Sequence, residues 1–198
     1  KQQIQHRLLS IQGTIPLEDI GLLEATYGWQ RNDRAEFDAH NLRIPKDSIQ
    51  ALQQLLSKPA MRLLLETYSG DIKLKGLSLN DHINLTIGLA TQFQQNKRMG
   101  KVVLIPDYFM SSIGAYTIAN AVYDDVIISG GLRYDTRQIS IDGFSSPTRF
   151  INDSLLSFSG ISMGGGLMWQ LKDECRISLN LDRKSTRLNS SHSSVSRM

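Results

Sequence analysis

Residues 126–135 read Val-Ile-Ile-Ser-Gly-Gly-Leu-Arg-Tyr-Asp, and their alternation constrains the fold more than any other stretch. Val126, Ile128, Gly130, Leu132 and Tyr134 form one set; Ile127, Ser129, Gly131, Arg133 and Asp135 form the other. A β-strand sends alternate side chains to opposite faces, so one face is apolar and ends in an aromatic ring, while the other turns small and then charged. A soluble sandwich would bury the apolar face against a second sheet. A membrane barrel would turn it to lipid, with the aromatic at the interface.

The same period recurs along the chain. Leu23, Ala25, Tyr27 and Trp29 oppose Glu24, Thr26, Gly28 and Gln30. Ile83, Leu85, Ile87, Leu89 and Phe93 oppose Asn84, Thr86, Gly88, Ala90, Gln92 and Gln94. Ile161, Met163, Leu167 and Trp169 oppose Ser162, Gly164, Gly166 and Gln170, and Ile177, Leu179 and Leu181 oppose Ser178 and Asn180. Gly, Ser, Thr, Asn and Gln dominate the polar sets and suit a wet lumen better than a Lys/Glu-rich outer surface. Three further strands are predicted over 3–12, 61–75 and 109–121. In the second, Leu64, Tyr68, Ile72 and Leu74 share a face with Arg62 and Glu66, which must then sit above the hydrocarbon. In the third, Ile113, Ala115 and Ala119 share a side.

Connections alternate in length. Thr14–Asp19, Leu77–Asp81, Val122–Asp125 and Leu171–Cys175 are short, whereas Gln30–Pro59, Asn96–Tyr108 and Asp142–Ser154 are longer. Short turns at one end and long loops at the other are the habit of outer-membrane barrels. The expected fold is all-β: an antiparallel up-and-down meander of about eight strands, an open part of a larger transmembrane β-barrel. Lys46–Ser57 (KDSIQALQQLLS) has helical spacing and is predicted as a short helix inside the first long loop. No run approaches the ~20 consecutive apolar residues of a membrane helix. The mean hydropathy of −0.23 does not argue against a barrel, whose strands are only half apolar.

The formal charge of +3 is no nucleic-acid signal. Arg183, Lys184, Arg187 and Arg197 lie in 183–198, a stretch without acids; removing them leaves 18 of the 22 basic residues against 19 acidic ones. That stretch, RKSTRLNSSHSSVSRM, is serine-rich and loses the alternation, so it is expected to be disordered. Its STRLNSSHSSVSRM resembles translated adapter read-through, so 183–198 is read as a sequencing or cloning artefact and 1–182 as the barrel part.

Little chemistry stands out. Cys175 is the only cysteine, which excludes an internal disulfide and a cysteine metal cluster. Gly160-Ile161-Ser162-Met163-Gly164 matches the G-x-S-x-G nucleophile elbow, but alternation runs straight through it and the later His192 lies in the tail. Gly164–Gly166 has no following Lys-Ser/Thr for a phosphate loop. His6, His40 and His82 lack metal-ligand spacing. No catalytic residue, cofactor or metal is expected. Arg31, Arg34 and His40 cluster with Asp33, Glu36 and Asp38 at a strand-to-loop junction, making them loop-rim candidates for ligand capture. Arg133 and Asp135 are expected to face the lumen, and Tyr27, Trp29, Tyr134 and Trp169 to anchor the interfaces.

The chain resembles the barrel of a TonB-dependent outer-membrane receptor. The likeness rests on LeuIleProAspTyr at 104–108, Gly114-Ala115-Tyr116 and SerGlyGlyLeuArgTyrAsp at 129–135, in that order and spacing. TyrGlyTrpGlnArgAsn at 27–32 with Glu36-Phe37 adds to it, as do 160–171 and IleSerLeuAsnLeu at 177–181. It covers roughly residues 5–181; each motif alone is weak. It implies a plugged barrel of about 22 strands in the outer membrane of a Gram-negative cell. It also implies a plug that contacts the TonB complex, and import of a ferric siderophore or another scarce nutrient. No segment here resembles the plug, so a fragment is expected, with outer-membrane lipid, an extracellular nutrient and TonB (through the absent plug) as partners, and no nucleic acid. A passive outer-membrane porin or transporter and a soluble β-rich binding domain are the alternatives.

Overall fold

The structure, a computed structural model, describes residues 2–18, 20–37, 59–100, 104–146, 149–172 and 175–190. The strands are β1 (Gln2–Leu17), β2 (Gly21–Glu36), β3 (Met61–Ser78), β4 (Ile83–Gly100), β5 (Tyr108–Tyr123), β6 (Val126–Ile141), β7 (Phe144–Ser146), β8 (Arg149–Ile151), β9 (Ser154–Lys172) and β10 (Cys175–Ser190). Eight of them form one antiparallel sheet in the order β1-β2-β3-β4-β5-β6-β9-β10, so every neighbour in space is the next long strand in sequence. The sheet is open: β1 pairs only with β2, and β10 only with β9. β7 and β8 make a separate two-stranded hairpin within the connection from β6 to β9.

Register joins the alternating sets into two continuous faces. Ile15, Leu23, Leu74, Ile87 and Thr117 follow one another through direct pairs, and so do Leu9, Trp29, Tyr68 and Phe93. Farther along, Ile128 is flanked by Ala121 and Leu167, with Leu179 beyond. No second layer covers this apolar face among the described residues. Ile72 is 46% exposed, Leu89 53%, Leu132 50% and Leu179 58%. The only buried apolar side chains among the described residues are Ala35, Met61 and Met110, so no hydrophobic core of the kind a soluble domain needs is present there. No helix of the described residues is long and apolar enough to cross a membrane, which leaves crossing by strands open.

The short connections, at 18–20, 79–82, 124–125 and 173–174, all lie at one end, and the longer ones, at 37–60, 101–107 and 142–153, at the other. At the tightest turn Asp124 takes a left-handed conformation (φ 41°), which Asp tolerates better than bulkier residues. The register between β3 and β4 shifts between Leu74 and Leu77, where Gly76 sits at φ 78°, the left-handed glycine that a G1-type bulge uses. The two ends of the connection from β2 to β3 are joined by the Ala60 amide donating to the Glu36 carbonyl at 2.8 Å.

Two expectations need correction. The first long loop was expected to begin at Gln30, yet β2 runs on to Glu36, and β4 runs past Asn96 to Gly100. Apolar alternation stops at Trp29, but backbone pairing continues because Arg31 meets Glu66 at 3.6 Å and Arg62 donates to Asp33 at 2.8 Å across β2–β3. The stretch from 183 was expected to be disordered, whereas β10 continues through Ser190 with Lys184 opposite Ser162 and Ser190 opposite Leu156. Ladder hydrogen bonds come from the backbone and need no hydrophobic period. The longer connection expected at Asp142–Ser154 is present between β6 and β9 and carries β7 and β8. The helix expected at Lys46–Ser57 and the residues from 191 lie outside the described residues.

Gly88 lies directly opposite Tyr116, and Gly114 opposite Asp135. A Cβ at Gly88 would collide with the Tyr116 ring, and one at Gly114 with the Asp135 carboxylate. These glycines are notches into which a larger side chain from the next strand lies down. Gly88→Val is expected to lower unfolding stability in detergent by roughly 1–3 kcal/mol through overpacking. Tyr116→Ala in the same chain should recover part of that loss, whereas additive effects in urea titrations would remove the notch explanation.

Candidate functional site

The polar face carries a hydrogen-bonded ionic network across β2, β3, β5 and β6. Glu24 is buried at 7% exposure. Its two carboxylate oxygens take Lys73 Nζ at 2.6 Å and Lys75 Nζ at 2.7 Å. Lys73 stands directly opposite Glu24, and Lys75 two residues along on the same face. Lys73 also approaches Asp71 at 3.6 Å. The Tyr116 hydroxyl, carried over Gly88, donates to Asp71 at 3.0 Å. Beyond it the Arg133 guanidinium lies 5.6 Å from the Tyr116 ring centre. Arg133 donates to Asp135 from Nε at 2.7 Å and from a terminal nitrogen at 2.6 Å. Three cations thus balance three carboxylates, so the network is neutral and internally satisfied, as semi-buried charges need to be.

The face is concave. A cavity of about 650 Å³ is lined from Thr26 on β2 through Gln92, Ser112 and Arg133 to Phe158 on β9. One cavity can touch both β2 and β9 only if the sheet curls toward its polar side, as a barrel wall does. Farther toward the loop end, Tyr108 donates to Gln94 and Gln94 to Thr67, each at 3.0 Å.

The loop end is tied together. Asn96, only 3% exposed, donates to the Pro106 carbonyl at 3.0 Å. The Arg98 amide donates to Asp107 Oδ1 at 2.6 Å, and the Arg98 guanidinium covers the Phe144 ring at 3.8 Å. The Asp142 amide donates to the Asp107 carbonyl at 2.9 Å. The β4–β5 and β6–β9 connections are therefore joined through Asp107 and Arg98.

The predicted site residues are distributed as follows. Arg133 and Asp135 stand on the polar face and pair with each other two residues apart on one strand. Tyr27, Trp29, Tyr134 and Trp169 all stand on the apolar face; Tyr27 is 44%, Tyr134 51% and Trp169 46% exposed. The grouping of Arg31 with Arg34 is not met. Because β2 continues through both, Arg31 lies on the apolar side beside Glu66, while Arg34 lies on the polar side and pairs with Glu36. His40 lies outside the described residues. Gly160–Gly164 is extended within β9, so the strand–turn–helix of a nucleophile elbow is absent there. Among the described residues no three His, Cys, Asp or Glu side chains converge as a metal site would require. Sequence reasoning missed Glu24, Lys73, Asp71 and Tyr116 as one network. Each sits in a polar phase, but only register tells which strand positions meet.

Comparison with protein-family models, with curated proteins and with solved structures finds no match. Replacing Glu24 by Gln should leave Lys73 and Lys75 facing each other without their shared counter-charge. The expected result is a lower urea midpoint in micelles for Glu24→Gln and a recovery when Lys73→Met is added; no recovery would mean that the network is not cooperative.

Proposed function

We propose that this chain is part of the wall of an outer-membrane β-barrel, and that the barrel belongs to a TonB-dependent active-transport receptor. The observation that carries the membrane reading is the apolar face that no described residue covers, continuous over eight strands and backed by a curled, hydrogen-bonded polar face. In water such a face would drive aggregation; against lipid it is what a barrel presents. Loops gathered at one end and short turns at the other support the same reading. β1 and β10 leave unpaired edges, and each unsatisfied group in hydrocarbon costs several kcal/mol, so further strands are proposed to flank both.

The receptor reading rests on the motifs at 104–108, 114–116 and 129–135. In it the wall frames the path, cargo is bound by loops and by a plug outside this chain, and no bond is made or broken. Its cargo would be a ferric siderophore or another iron complex, and the motive energy would reach the plug through TonB.

Single cysteines placed successively from Ile87 to Gln92, in a Cys175→Ser background, test the membrane reading. With a spin label attached, odd positions should be relaxed by oxygen dissolved in the bilayer and even positions by an aqueous nickel complex. Water accessibility at both sets would sink it. The receptor reading is tested on the parent gene: uptake of a ferric complex by cells should stop when TonB is deleted, and undiminished uptake would favour a passive porin.

A further inference from the structure

Just beyond the aromatic row Trp29–Tyr68–Phe93, the outward face changes from apolar to cationic. Arg7, Arg31 and Glu66 form one cross-strand row; Asp33, Leu64 and Lys97 form the next, with Arg62 beyond. Four cations share this patch with two carboxylates, and both carboxylates are engaged: Asp33 accepts from Arg62 at 2.8 Å, and Glu66 lies 3.6 Å from Arg31. Arg7 and Arg31 are direct partners across β1–β2 on the same face. Like charges placed so repel each other, and the carboxylate whose charge reaches both, Asp33, is already engaged by Arg62. Arg7 and Lys97 are exposed and, among the described residues, make no hydrogen bond or close ion pair; Arg7 is reached only by the charge of Asp33.

The position of the patch specifies the anion. Arg31 follows Trp29 by two residues and Glu66 precedes Tyr68 by two, which is about 7 Å along the strand. Amphipathic rings settle at headgroup level and long basic side chains reach outward from it. We infer that Arg7, Arg31, Arg62 and Lys97 form an outward-facing docking site for the phosphate of a lipid headgroup in the leaflet on the loop side. Guanidinium forks match phosphate oxygens two at a time, and the ammonium of Lys97 adds a point charge. The phosphate would lie beside Arg7 and Arg31 and add to the counter-charge of Asp33, with Lys97, three strands from Arg7, acting at longer range. This inference rests on the membrane reading, because it requires the neighbouring apolar face to be in lipid.

The test uses the whole chain refolded into phosphatidylcholine bicelles, with diphosphoryl lipid A or its dephosphorylated form as probe. Retained lipid is counted by native mass spectrometry, and quenching of Trp29 and Trp169 by brominated lipid reports insertion. Diphosphoryl lipid A should be retained in preference to the dephosphorylated form. Arg7→Gln with Lys97→Gln should weaken retention by roughly tenfold without changing the quenching. Equal retention of both lipids, or by the double variant, with quenching intact would overturn the docking site and leave the membrane reading standing. Displacement of the lipid by millimolar inorganic phosphate would make it a free-anion site and also overturn the proposal. Absence of quenching would overturn both readings.

Discussion

Everything in this structure depends on the pairing of backbone groups between consecutive strands. With no second layer behind the sheet among the described residues, side chains contribute little mutual burial, and the ladder hydrogen bonds hold the strands in place. A meander makes those bonds between neighbours in sequence, so each hairpin can form locally before the next is added. The side-chain alternation then decides only what each face meets. The apolar face requires an apolar surrounding, whereas the polar face must satisfy its own charges, as Glu24, Lys73, Asp71 and Tyr116 do.

The network on the concave side and the notches beneath it are linked. Tyr116 can reach Asp71 two strands away because Gly88, on the strand between them, has no side chain to block it. Gly114 gives Asp135 the same clearance and so brings Arg133 within range of the Tyr116 ring. Packing and electrostatics on this face therefore depend on the same two glycines.

Much of the fold was legible in the sequence because period-2 alternation carries through to the structure with few interruptions. The faces holding Leu23 to Trp29, Ile83 to Phe93 and Val126 to Tyr134 keep the residues predicted to share them, and so does the less regular face of Leu64, Tyr68 and Ile72. The strand ends were not legible. Beyond Trp29 the residues are charged on both faces, and only the partner strand reveals that Asp33 meets Arg62 and Arg31 meets Glu66. The split of Arg31 from Arg34 has the same origin, since a junction read as loop proved to be strand. The extension of β10 to Ser190 was invisible because backbone pairing leaves no signature in a serine-rich run. The hairpin β7–β8 was hidden by its shortness.

Arg98 joins two connections that are far apart in sequence. Its amide and Asp107 fasten one loop, its guanidinium rests on Phe144 of the other, and Asp142 closes the link. To an antibody, the segments around 107 and 144 would present as one composite epitope, recognised only while the fold is intact and lost on denatured blots.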